Sequence, residues 1–220
     1  MGVYGVPAYS TLGWMNWAGG DPLLSTFIRY PEGELARMVF HELAHQVLYV
    51  KDDTVFNESY ATAVERLATQ RWLSSHGSPA AQGEYAALSA RREQFHALTR
   101  GTRQRLQALY ARQPSDLPAA SDLRAEKQLA MREFAQRYAA LKALWGGYAG
   151  YDSWVAKANN ASFGALAAYD ELVPGFEALF EKVGQDWPRF YDAVQSLARQ
   201  TRQARRQSLT TQTFPEVQGG

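Results

Sequence analysis

A mainly α fold, α+β at most, is predicted by three observations. Two long stretches, from about Ala80 to Arg112 and from Ser121 to Leu144, are built of Ala, Leu, Gln, Arg and Glu with apolar residues at helical spacing. A shorter, more apolar helix surrounds His41-Glu42-Leu43-Ala44-His45. The β-prone pieces, Val6-Pro7-Ala8-Tyr9-Ser10-Thr11 and Leu23-Leu24-Ser25-Thr26-Phe27-Ile28, are confined to the beginning of the chain. Gly, Pro and aromatic residues between them suit a small β or loop layer.

At 220 residues the chain is long enough to bury a substantial core, as one domain or as one domain with an appendage. Its 23 Lys and Arg and 22 Asp and Glu are mixed along the chain and leave a formal charge of +1, so electrostatics gives no case for a nucleic-acid partner. Cysteine is absent, which excludes disulfides and thiolate metal sites and leaves His and carboxylate as metal ligands. No run approaches the length of a membrane-spanning helix, so no membrane insertion is expected of this chain. Met1-Gly2-Val3-Tyr4 opens abruptly in an extended apolar segment with no basic, then apolar, leader. An upstream part, with any targeting signal it carried, is therefore expected to be missing.

The first helix is predicted to start at Pro31-Glu32-Gly33-Glu34, where acidic residues suit the helix dipole, and to run to about Val50. It carries His41 and His45 four positions apart, on one face and roughly 6 Å apart along the axis, which suits two ligands of one tetrahedral ion. Glu42 lies to the side of that pair, where a general base reaches an attacking water rather than the metal. The bland alternative is a surface helix, since the H-E-x-x-H pattern arises by accident in roughly one chain in a hundred of this size. Two features weigh against it. Half of the four histidines are spent here, and the flanks Met38-Val39-Phe40 and Val47-Leu48-Tyr49-Val50 predict a helix buried nearly all round. Buried His and Glu need partners, and a metal supplies them.

Lys51-Asp52-Asp53-Thr54 breaks this helix, and a second begins near Phe56-Asn57-Glu58 and continues through Ala61, Val64, Leu67, Ala68 and Trp72. Glu58 would lie roughly 20 Å beyond His45 on a straight helix, so it reaches the metal only if the chain turns back at the break. The two long stretches then form an antiparallel helical hairpin over 80–145, divided by Gln113-Pro114-Ser115-Asp116-Leu117-Pro118, with packing as its expected role. His96 falls on it, and His76 before Gly77 suits a solvated helix end. Gly146-Gly147-Tyr148-Ala149-Gly150-Tyr151 is too apolar for an ordinary linker and has the character of a pocket-lining loop. Residues 146–202 are expected to complete the cleft of a catalytic core over 1–79. Asp186 is placed as the N-cap of a last helix with Pro188 in its first turn, and 203–220 is expected to be a flexible tail.

Phe40-His41-Glu42-Leu43-Ala44-His45-Gln46 followed by Phe56-Asn57-Glu58-Ser59-Tyr60-Ala61 resembles the gluzincin pairing of H-E-x-x-H with a downstream N-E-x-x-A helix. Together with Gly147-Tyr148-Ala149-Gly150-Tyr151-Asp152, Asn159-Asn160-Ala161 and Val173-Pro174-Gly175-Phe176, it is similar to the bacterial putative aminopeptidase family from Val6 to about Ala198. The resemblance implies zincin-like catalytic helices and one Zn²⁺ per chain held by His41, His45 and Glu58, with Glu42 as general base. It also implies a tyrosine or histidine that stabilises the oxyanion; His96 is the one downstream histidine that suits, and among the tyrosines Tyr169 leads, with Tyr151 and Tyr148 as the other candidates. Glu65 is either a support for a ligand histidine or a carboxylate paired with Arg. The implied activity is zinc-dependent hydrolysis of peptide or protein substrates, as an aminopeptidase in the bacterial cell envelope, whose export or lipoprotein signal is missing here. An endopeptidase with the same zinc site, or a zinc-stabilised helical scaffold that binds a partner, is the alternative. The segment Gly13 to Gly20 is expanded relative to the family pattern.

Overall fold

The computed structural model describes residues 29–112 and 120–214, apart from the side chains of 120–122 and 167–169. Among these residues all regular structure is helical and no strand occurs, so the fold is mainly α. The expected β or loop layer and the Gln113 to Pro118 connection lie outside the described residues. The helices are α1 (Glu32–Val47), α2 (Thr54–His76), α3 (Pro79–Tyr110), α4 (Ala120–Leu144), α5 (Asp152–Ala156), α6 (Asn160–Asp170), α7 (Val173–Lys182), α8 (Trp187–Ala198) and α9 (Arg202–Thr211). Contacts divide the chain into two units, one comprising residues up to Tyr85 and from Ala168, the other Ala86–Ala167.

In the first unit α1 ends earlier than the sequence suggested, because Leu48 is already extended at φ −149° and ψ 132°. Asp53 then caps α2, its carboxylate accepting from the Phe56 amide at 3.3 Å. Phe56, Tyr60, Ala61, Ala63 and Val64 of α2 are buried with Val173, Phe176, Leu179, Phe190, Val194 and Leu197 of α7 and α8. With α1 and α7 both packed on it, α2 has buried residues around most of its girth.

Two expectations are corrected in this unit. Helix α1 is not buried nearly all round: Leu43 and Val47 are 46% and 48% exposed. Residues 203–211, expected to belong to a flexible tail, are helical. They form most of α9, held by the buried side chains of Arg205 and Leu209. At Gly175 of α7 the α9 backbone comes close, since a Cβ there would meet the Leu209 carbonyl oxygen at 2.3 Å. Gly175→Ala is therefore expected to destabilise the fold by about 1–3 kcal/mol in urea unfolding. Equal stability would show that α9 gives way freely.

The second unit contains the expected antiparallel hairpin of α3 and α4. Arg112 pairs with Glu126 at 2.9 Å, Arg105 pairs with Glu133, and further along Phe95 meets Tyr138. Two glycines at positive φ, Gly146 (+69°) and Gly147 (+88°), turn the chain after α4. The following aromatics fold onto the hairpin, with Tyr151 stacked on Phe95 at a centroid distance of 4.0 Å and Trp154 edge-on to both Phe95 and Phe134. Asp152 accepts from the Tyr138 hydroxyl at 2.5 Å and from Lys142 at 2.6 Å. By contact, the loop thus belongs with the hairpin.

Candidate metal centre

The site forms because the turn after α1 reverses the chain. Asn57 fastens it: the Val50 amide donates to Asn57 Oδ1 at 2.8 Å, and Asn57 Nδ2 donates to the Val50 carbonyl at 2.8 Å. This returns Glu58, in the second turn of α2, to the face of α1 that carries the histidines. His41 Nε2 and His45 Nε2 lie 3.3 Å apart, and Glu58 Oε2 lies 3.4 Å from the first and 3.8 Å from the second. Two imidazole nitrogens and one carboxylate oxygen thus converge on one point.

This triangle fits a tetrahedral ion. Ligands about 2.0–2.2 Å from a common centre at tetrahedral angles are roughly 3.3–3.6 Å apart, close to the separations found. Two imidazoles and one carboxylate also match the donor chemistry of a catalytic zinc centre that leaves a fourth position open. His41, His45 and Glu58 are the group among the described residues that meets these conditions.

Behind the triangle stands a buried carboxylate. Glu65 Oε2 lies 2.8 Å from His41 Nδ1, and its other oxygen accepts from Arg37 Nη1 at 2.7 Å. Arg37 also reaches Glu34 at 3.3 Å. The two sequence readings of Glu65 are therefore both true: it pairs with an arginine and it holds a histidine. With Nδ1–H donated to Glu65, neutral His41 presents its Nε2 lone pair to the centre. Arg37 was missed in the sequence, although its position one turn before His41 on the same helical face is the signal that placed it.

The electrostatics follow from these contacts. Burial opposes the charged form of His41, but hydrogen bonds to Glu58 and Glu65 outweigh it and push the imidazole up to about 9. Burial, then the neighbouring His41 charge, holds His45 below its ordinary value. Burial favours the neutral acid at Glu65, yet Arg37 and His41 keep its carboxyl below the usual range. In metal-free protein the raised His41 contributes stability that is fully present below about pH 6.5 and is lost as pH rises through about 9, on the order of 3 kcal/mol in all. His45 acts in the opposite sense and in the lower window, below its ordinary pKa of 6.5. Urea unfolding in excess chelator is expected to show the loss between pH 6.5 and 9.5, and to show much less of it in His41→Gln. A flat profile would refute the coupling to Glu58 and Glu65.

The other candidates stand as follows. Glu42 is half-buried on α1 beside the ligand pair. Tyr169 falls in the last turn of α6, and its side chain lies outside the described residues. Tyr151 and Tyr148 belong to the aromatic cluster of the second unit. His76 is exposed at the end of α2, stacked beside Trp72, and His96 lies on α3. A cleft of about 700 Å³ opens on the flank of α1 formed by Phe40, Leu43 and Val47, facing Ala68, Trp72 and Tyr191. None of the three ligand candidates lines it.

Fold and site together define a mainly helical protein with a two-histidine, one-carboxylate group able to hold a metal ion. The family described as "Putative aminopeptidase" matches residues 1–209, and the chain belongs to it. No curated protein and no solved structure matches the chain.

Proposed function

We propose that the protein is a gluzincin-type metallopeptidase that hydrolyses peptide bonds with one Zn²⁺ held by His41 Nε2, His45 Nε2 and Glu58, and that it acts as an aminopeptidase. The observation that carries this reading is the triangle of ligand atoms at 3.3, 3.4 and 3.8 Å. When bound, Zn²⁺ supplies a Lewis acid that polarises the scissile carbonyl and makes water acidic enough to attack at neutral pH.

The chain's own residues do the rest. Glu42, next to a ligand on α1, takes the proton of the attacking water and later returns it to the leaving amine. Glu65 holds His41 in the tautomer whose Nε2 faces the centre. A tyrosine hydroxyl donates to the oxyanion, and Tyr169 is assigned to that role. Preference for a free amino terminus is supported by the family's description.

Metal analysis of the purified protein, with cleavage of free against N-acetylated peptides, tests the reading. About one equivalent of zinc and cleavage of free peptides alone are expected. Equal cleavage of both would make the protein an endopeptidase. Absence of turnover on a broad peptide library in excess zinc would favour the scaffold.

A further inference from the structure

Arg205 on α9 is only 6% exposed, an unusual state for an arginine. Its Nε donates to Asp53 Oδ2 at 2.7 Å and its Nη2 lies 2.7 Å from the same oxygen. Its Nη1 donates to the Gln200 carbonyl at 2.9 Å, and its guanidinium lies 5.4 Å from the centre of the Phe56 ring. Asp53 is 4% exposed, and its other oxygen both accepts from the Phe56 amide and lies 3.6 Å from Arg202 Nε. One carboxylate thus starts α2 and grips α9 at once.

The placement matters because Asp53 ends the turn that returns Glu58 to the histidines. That turn is fastened from both sides. Asn57 ties it to Val50 from within, and Arg205 ties it to α9 from outside. An N-cap aspartate can work in water without a partner, and a buried ion pair is often no more stabilising than an apolar replacement. What the pair does supply is position: Nε and Nη2 of Arg205 both hold Oδ2 of Asp53, while Oδ1 is left to the Phe56 amide that it caps.

We infer that Arg205 is a positioning residue for the metal centre: α9 latches the α1–α2 turn, so docking of the C-terminal helix and metal binding reinforce each other. The inference rests on the metal-site reading above. Linkage makes the effect reciprocal, so that an ion bound by His41, His45 and Glu58 holds α9 in place as firmly as α9 favours the ion. A purely structural ion pair would stabilise the fold and leave metal affinity alone.

The test uses the full chain and Zn²⁺ itself, with affinity read by competition against a chromophoric chelator. Arg205→Gln is expected to weaken Zn²⁺ binding by about tenfold or more, and Arg205→Lys to recover part of that loss. Arg206→Gln removes the same charge from the same helix but, among the described residues, alters the exposed pairing with Glu171 rather than the grip on Asp53, and it is expected to bind as the unaltered chain does. In the unaltered chain, Zn²⁺ is expected to slow amide hydrogen exchange in 202–211, a measurement independent of whether any variant folds. Unchanged exchange in α9, or unchanged affinity in a folded Arg205→Gln, overturns the latch while leaving the metal site standing. Failure of the unaltered, folded chain to bind Zn²⁺ overturns both.

Discussion

Glu42→Gln is expected to retain zinc at the level of the unaltered chain and to lose peptide hydrolysis by about 10²- to 10⁴-fold. The substitution keeps the shape of the side chain and removes its capacity to take a proton. His41, His45 and Glu58, which form the triangle, are left intact, so the loss should fall on kcat with little change in KM. Zinc analysis beside steady-state kinetics separates the two effects. Turnover at the original rate with zinc in place would remove Glu42 from the reaction, and loss of zinc would instead make it part of the metal's support.

Glu65→Ala is expected to have the largest effect on stability, about 3–5 kcal/mol, together with a fall in zinc affinity of about 10- to 100-fold. Glu65 lies between two partners. Removing it takes from Arg37 its 2.7 Å partner, leaving the 3.3 Å contact to Glu34, and takes the carboxylate from His41 Nδ1. The two losses have different remedies. In the double variant Arg37→Met, Glu65→Leu the ion pair is replaced by apolar bulk, so most of the stability should return while zinc remains weakly bound. Denaturant unfolding and chelator competition on both variants decide this, and recovery of zinc affinity in the double variant would show that Glu65 does not orient His41.

The helices and the candidate ligands were legible in the sequence for a simple reason: both are local patterns. Apolar spacing marks α3 and α4, the acidic first turn marks α1, and a four-residue spacing puts His41 and His45 on one face. Asp186 also caps α8 as its position suggests, accepting from the Arg189 amide at 2.9 Å. Residues whose partners are remote gave no such signal. Arg205 sits in a polar stretch ending in Gly-Gly that has the composition of a frayed tail, yet it pairs with Asp53, far away in sequence. Likewise the apolar flanks of α1 suggested burial all round, whereas exposure depends on how many neighbouring elements meet the helix.

By itself, then, the sequence determined the mainly α fold, the helical hairpin and a set of residues chemically able to hold a metal, because propensity, periodicity and ligand type are properties of short segments. Only the tertiary structure decided that the turn from Leu48 to Asp53 brings Glu58 within 3.4 Å of His41, and that Arg37, Glu65, Asp53 and Arg205 stand behind that geometry. Convergence of side chains from three helices depends on the packing that fixes where each helix begins and how it is held, and no segment of the chain contains that information alone.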